Sequence, residues 1–289
     1  MQRKDFHSND PWRNARVKPA APAPRAAPPQ AERTTPESAK RPAAQRRGEE
    51  VRVYGRNACL ALFAKRPNDV RKIYLTEARI AEFKPVLAWC VKQRIGYRVV
   101  ENDDLDRLTE SQHHEGVCFE VRRTPLLSLR ELLHEIPREQ PALLIWLDGV
   151  GNPHNVGALL RSAANFGARG AILPAGAPAL SGAALRVAEG GAEALPLAQA
   201  AAGEDVFESL HDAGFGVAAT VPRDGWDLYK NKLPARLALI LGAEGEGMSA
   251  RLIADADLRL TIPGTGAVES LNVSASAAVL FAEYWRQHR

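Results

Sequence analysis

Three separated stretches of the chain carry residues able to do chemistry. They are Asn155 with Arg161 in NPHNVGALLR, Glu244 within LILGAEGEGM, and Ser270 with Asn272 in ESLNVS. A guanidinium is a planar fork of donors that suits a phosphate or a carboxylate. Arg161 follows Asn155 by six residues, nearly two helical turns, which puts the pair on roughly one side of a helix. Its neighbours Leu159, Leu160, Ala163 and Ala164 are apolar, so the arginine either snorkels or is aimed into a site. Asn155, Ser270 and Asn272 each lie at or beside a helix start, and capping alone accounts for them equally well. The glycines of GAEGEGM fall as GxxGxG, not the GxGxxG of a dinucleotide turn, so by itself this stretch specifies only a turn.

These residues need elements to position them. From residue 142 the sequence reads as glycine-punctuated βα units: ALLIWLDGV a strand, NVGALLRSAANF a helix, GAILP a strand, a short helix near 184–188, the strand ALPLA, the helix DVFESLHDAG and the strand FGVAATV. Two further strands, LALILG and LRLTI, each run into a Gly-rich loop, and the second loop leads into an apolar helix ending at Tyr284-Trp285. Continuous apolar strands separated by helices predict a parallel sheet covered on both faces, with ligands beyond the C-terminal strand ends. Backbone groups of such loops, beside a helix N-terminus, are suited to gripping a small polar cofactor. On the last helix Val273, Ala277, Leu280, Phe281 and Tyr284 form an apolar stripe, either core or a dimer face.

Upstream, residues 50–122 alternate strand and helix at short intervals, which predicts a compact three-layer α/β sandwich. NDDLDRLTE reads there as a short capped helix. Residues 123–141, with proline near both ends and one short helix capped by Ser128, are the expected linker to the domain at 142–289. Residues 1–49, rich in Pro, Ala and Arg, cannot bury enough apolar surface to offset their ordering entropy and are expected to be disordered.

Eleven Lys/Arg against five Asp/Glu give residues 1–49 a net +6, which leaves −2 of the chain's +4 for the remainder. A basic arm of this kind is either a sequence-independent phosphate contact or a solvated tether. No apolar run is long enough to span a membrane, and the N-terminus lacks the apolar core of a secretory signal. Cys59, Cys90 and Cys118 fit no zinc or redox spacing and read as small buried hydrophobes, natural in a reducing cytoplasm. His113, His114 and His154 lack metal partners at useful spacing and read as surface or turn residues, so no metal site is expected.

Taken together, the three stretches resemble the SpoU (TrmH-type) branch of the SPOUT RNA methyltransferases. That family's motifs are an Asn followed six residues later by an Arg, a strand ending in G-x-E-G-x-G, and I-P…S-L-N-V-S leading into the last helix. They match Asn155/Arg161, Gly242–Gly247 and Ile262-Pro263 with SLNVS, in the same order. YGRNACLALF and HHEGVCFEV are similar to the family's L30e-like substrate-binding module. The GTG after Ile262-Pro263 and the long basic tail resemble the YfiF-type branch.

The resemblance implies an α/β fold with a C-terminal trefoil-knotted parallel sheet, a homodimer through the knot, and RNA as partner. It implies S-adenosylmethionine held by backbone groups of Gly242, Ile262 and Leu271. It also implies methyl transfer to a ribose 2′-hydroxyl of rRNA or tRNA, with Arg161, Asn155, Glu244, Ser270 and Asn272 as the catalytic set. Arginine is protonated below pH ~12 and is an awkward general base, so a phosphate clamp at Arg161 is the preferred role and a phosphate-assisted base the other. A non-catalytic dimeric RNA-binding protein, acting in ribosome assembly or as an RNA chaperone, is the competing reading. The tail is testable directly: removing residues 1–49 is expected to flatten the salt dependence of RNA binding, and an unchanged slope rejects the phosphate-contact reading.

Overall fold

The computed structural model describes residues 50–243 and 247–289, so the expected disorder of 1–49 and the side chain of Glu244 lie outside the described residues. The first domain alternates as the sequence predicts: β1 (Glu50–Tyr54), α1 (Arg56–Lys65), β2 (Val70–Leu75), α2 (Ile80–Gln93), β3 (Gly96–Val99), α3 (Asn102–Thr109) and β4 (Val117–Arg122). The strands form one sheet in the order β1-β4-β2-β3. Alternation along β4 sends Val117, Phe119 and Val121 to one face, against Leu62 of α1 and Phe83 of α2. The same alternation sends Cys118 to the other face, against Leu105 of α3. The helices therefore cover both faces, giving the expected three layers.

Three expectations for this domain need correction or completion. The start of α3 is uncapped, because Glu101 stands at the N-cap and its side chain makes no capping bond. His114 is buried, not a surface residue. Its Nδ1 accepts from the Gly116 backbone N–H at 2.9 Å, so Nε2 carries the proton and donates to Asp106 Oδ1 at 3.0 Å. The cysteines are buried and free; burial pushes the Cys118 thiol up to about 12 and raises Cys59 and Cys90 in the same direction. Thiols held protonated in this way are structural hydrophobes.

Residues 123–141 pack against the large sheet. The expected linker contains β5 (Leu127–Ser128) and α4 (Leu129–His134), with Ser128 capping α4 in a capping box. Strand β5 pairs with β8 (Leu197–Gln199), and Leu129, Leu132 and Ile136 are buried in the core beneath the large sheet. Those three apolar side chains make the segment a part of the larger domain as well as a connection.

After β5 and α4 come β6 (Ala142–Asp148), α5 (Pro153–Asn165), β7 (Gly170–Leu173), α6 (Gly182–Ala188), α7 (Gly191–Ala194) and β8. Then follow α8 (Val206–Asp212), β9 (Gly216–Thr220), β10 (Trp226–Asp227), β11 (Arg236–Gly242), α9 (Ala250–Asp255), β12 (Leu258–Thr261) and α10 (Val273–His288). The eight strands lie in the order β10-β12-β9-β11-β6-β7-β8-β5. Every pairing is parallel, so all C-terminal ends share one edge. Strand β6 is buried over Ala142–Leu147 and sends Leu143, Ile145 and Leu147 to one core and Leu144 and Trp146 to the other. Ala277, Leu280, Phe281 and Tyr284 of α10 are buried in the first of these cores with α5. The apolar stripe of the last helix is thus core within one chain.

The C-terminal turn of α10 is pinned by polar contacts. Glu283 is buried and accepts from Arg286 Nε and Nη2 at 2.7 and 2.6 Å and from Gln287 Nε2 at 2.7 Å. Gln287 Oε1 in turn accepts from the Leu233 backbone N–H at 2.8 Å, and Tyr284 donates to the Ala235 carbonyl at 2.5 Å. Hydrogen bonds from Arg286 hold the Glu283 carboxyl down to about 2, below the ordinary carboxylate range. A carboxyl lowered on folding contributes stability that is full above its unfolded value of ~4.3 and is lost as pH falls through about 2. Glu283→Gln is expected to lower the urea midpoint most above pH ~5, where the carboxylate's contribution is full, and the difference from wild type is expected to vanish as pH falls toward about 2. A second prediction concerns the contact of α5 with α6. A Cβ on Gly157 would lie 2.6 Å from the Ala184 carbonyl oxygen and 2.6 Å from Val187 Cβ. Gly157→Ala should cost roughly 1–3 kcal/mol by overpacking, read as a lowered urea midpoint.

Candidate functional site

The three chemically equipped stretches follow the C-terminal ends of β6, β11 and β12, on one edge of the sheet. Strands β6 and β11 are neighbours, with Asp148 opposite Gly242, so their loops leave the sheet side by side. After β6, Gly149 adopts φ +70, the left-handed region open to glycine, with Ala243 Cβ 3.4 Å from the position its own Cβ would take. The chain then enters α5 through Asn152, whose side chain accepts from the His154 backbone N–H at 2.9 Å, with Pro153 at the first helical position. Asn152, not Asn155, is therefore the cap.

That leaves Asn155 inside the first turn and buried, and its carboxamide has a different task. Asn155 Oδ1 accepts from Asn272 Nδ2 at 3.1 Å, across 117 residues of sequence. Asn272 is itself the N-cap of α10: its Oδ1 accepts from the backbone N–H groups of Ser274 at 2.9 Å and Ala275 at 3.3 Å. Asn272 is therefore a cap with a second partner, because its amide has two ends. The oxygen closes the helix start and the nitrogen reaches the first motif.

Arg161 is placed elsewhere than expected. Six residues at 3.6 per turn rotate a side chain about 120° away, not back onto the same side. Asn155 points inward to Asn272, whereas the Arg161 side chain is 57% exposed and pairs through Nη1 with Glu189 Oε1 at 2.9 Å. Glu189 is the C-cap of α6 and was not singled out from the sequence; the E-G-G run that follows α6 is the only signal it leaves. The apolar residues around Arg161 belong to the other side of α5, where Leu159, Leu160 and Ala163 fill the core.

The second stretch folds back on itself. Ala243 and Gly247 form an antiparallel bridge, and a Cβ on Gly242 would lie 2.8 Å from the Met248 backbone nitrogen. Only glycine fits that close approach, so Gly242 is where the backbone forms a cradle. Ser249 caps α9 by accepting from the Leu252 N–H at 3.3 Å. In the third stretch Ile262 is half-buried against the core with β12, while residues 263–272 are exposed. Ser270 and Leu271 lie in this exposed run just before the Asn272 cap, with Leu271 48% exposed. The site's geometry thus joins Asn155 to Asn272 and sets Gly242 beside the β6 loop. It leaves Arg161 on the neighbouring face of α5.

Among the described residues no group of three His, Cys, Asp or Glu is disposed to hold a metal ion, and no helix is long and apolar enough to cross a membrane.

Comparison with known proteins places this arrangement. The SpoU rRNA Methylase family matches residues 142–282, and the RNA 2′-O ribose methyltransferase substrate-binding family matches residues 52–126. The chain is 37% identical, over 85% of its own length and 70% of the relative's, to YfiF of Escherichia coli O157:H7, described as an uncharacterized tRNA/rRNA methyltransferase. It is 34% identical to the 23S rRNA (guanosine-2′-O-)-methyltransferase RlmB of Pseudomonas putida, over 82% of this chain and 97% of that one. Its fold is similar to the AdoMet-bound SpoU methyltransferase AviRb of Streptomyces viridochromogenes, with a TM-score of 0.69 at 22% identity, covering 85% of this chain and 93% of that one. Two matched domains in the family order, together with relatives of this identity along most of their length, establish that the chain belongs to the SpoU family of RNA methyltransferases.

Proposed function

We propose that this chain transfers a methyl group from S-adenosylmethionine to a ribose 2′-hydroxyl of rRNA or tRNA, as a cytoplasmic homodimer. The observation that carries the reading is the Asn155–Asn272 hydrogen bond at the C-terminal edge of a parallel sheet, which unites the first and third family motifs. The cofactor reading is supported by the Gly242 cradle and by the exposed backbone run that contains Leu271. Gly242, Ile262 and Leu271 would hold the cofactor through main-chain groups. When bound, S-adenosylmethionine supplies a methyl group already activated by its sulfonium.

The protein's own task is then alignment and charge. Arg161 is exposed enough to meet an RNA phosphate beside the target ribose and to stabilise charge developing on the 2′-oxygen. With one guanidinium nitrogen on Glu189, two others remain for a forked contact. Asn155 and Asn272 fix the start of α10, and with it the loop of Ser270; Glu244 completes the set from the second motif. Only RNA carries the 2′-hydroxyl, which accounts for a substrate-binding domain fused ahead of the methylase. The trefoil knot is part of this reading, supported by the insertion of β11 between β6 and the earlier strand β9. The homodimer is supported by Val268 and Leu271, apolar and exposed in the third-motif loop. The cytoplasmic location is supported by an RNA substrate and three free cysteines.

Arg161→Ala tests the division of labour. It is expected to reduce methyl transfer to RNA by at least about a hundredfold, while S-adenosylmethionine binding measured by calorimetry stays within about twofold of wild type. Equal loss of both contradicts the assignment, and methyl transfer unaffected by the substitution removes Arg161 from the site.

A further inference from the structure

The turn from Glu189 to Gly191 is wedged between the helix that carries Arg161 and the RNA-binding domain. Glu189 has φ 45 and Gly190 φ +94, a left-handed pair that reverses the chain between α6 and α7. On one side, a Cβ on Gly191 would lie 2.7 Å from Arg161 Cα and 2.8 Å from the Leu160 carbonyl oxygen. On the other side, a Cβ on Gly190 would lie 2.5 Å from Ala61 Cβ in α1. Neither glycine leaves room for a side chain, so the turn is in van der Waals contact with both helices at once.

The Glu189 carboxylate makes the polar counterpart of that wedge. Oε1 pairs with Arg161 Nη1 at 2.9 Å, and Oε2 accepts from Asn57 Nδ2 of α1 at 3.0 Å. One carboxylate therefore bridges the methylase arginine and the substrate-binding domain. The flanks of the turn are tied to the same domain. Glu193 takes a two-pronged contact from Arg66, Nε at 2.7 Å and Nη2 at 2.9 Å, and Arg186 lies 3.8 Å from Glu115. Glu115 Oε2 in turn accepts from the Arg56 backbone N–H at 2.9 Å, at the start of α1.

We propose that Glu189 is a positioning residue for the methyl-transfer reaction: held by Asn57, it sets the Arg161 guanidinium so that its remaining donors meet the RNA phosphate. An isolated surface ion pair is worth little to stability, because it is screened and loses side-chain entropy. This one differs in having its carboxylate fixed at both oxygens and its backbone locked by two close glycine contacts, so the entropy of aiming Arg161 is removed before RNA arrives. The inference rests on the proposed ribose methylation only for the role of Arg161; the bridge itself is a property of the free protein.

The test uses the full chain in two parallel measurements on wild type, Glu189→Gln and Asn57→Ala. In nitrogen-15 NMR of arginine-labelled protein, with the signal assigned by Arg161→Lys, the Arg161 guanidinium is expected to be rotationally restrained in wild type and averaged in both variants. In steady-state methyl transfer, Glu189→Gln is expected to lower kcat about tenfold, with KM for RNA and the thermal midpoint essentially unchanged, and Asn57→Ala to lower it less. An unchanged or raised kcat in Glu189→Gln overturns the proposal, as does a change confined to KM. Should wild type transfer no methyl group to RNA, the functional reading falls and the NMR measurement alone decides. An Arg161 signal identical in all three proteins then rejects the bridge.

Discussion

The hydrogen bond from Asn272 Nδ2 to Asn155 Oδ1 is the contact on which the site depends. It spans 117 residues and fastens the first turn of α5 to the cap of α10, the last helix of the methylase domain. A buried carboxamide left unpaired would cost its desolvation, about 1–3 kcal/mol, so the two helix starts are held together by a penalty as well as an attraction. The remaining construction brings these ends within reach. Parallel strands put their exits on one edge, β11 lies against β6, and the glycine cradle at Gly242 turns the second loop back toward its own strand.

Helix α5 has three neighbours, one for each part of its surface. Its apolar side, with Leu159, Leu160 and Ala163, fills the core it shares with α10. Gly157 lets α6 approach to backbone distance, and Gly191 does the same for the turn beyond it. Asn155 and Arg161 occupy what is left, the first toward the last helix and the second toward Glu189. One helix thereby joins the proposed cofactor cleft to the contact with the RNA-binding domain, and a side chain's position along it decides which of the two it serves.

Much of this was legible in the sequence, for physical reasons that can be named. Continuous apolar strands such as ALLIWLD announce a parallel sheet, and the glycines after LILG announce a tight loop, because few other residues satisfy those constraints. What stayed hidden depended on angle and partner. The separation of Asn155 from Arg161 is a matter of helical phase, and nearness in sequence concealed it. Asn152, three residues earlier, takes the capping role that Asn155 was equally entitled to. His114 gave no sign of burial, since its partners Asp106 and Gly116 are local and unremarked in the sequence. The segment 123–141 reads as a connection because its helix is short, yet three apolar side chains commit it to the large core. Strands β5 and β10, two residues each, are too short to leave a periodic signal. The stripe on α10 was visible as apolar, but only the fold shows that α5 covers it.

The proposed acceptor atom is a ribose 2′-oxygen. It can be read out by incubating the full chain with methyl-labelled S-adenosylmethionine and total RNA lacking its native 2′-O-methyl groups. The RNA is then digested and its nucleosides identified by mass spectrometry. Label is expected on the ribose of one nucleoside. Label on a base ring would contradict the acceptor while keeping the cofactor, and RNA left unlabelled by a protein that binds no S-adenosylmethionine would favour a non-catalytic RNA-binding role instead.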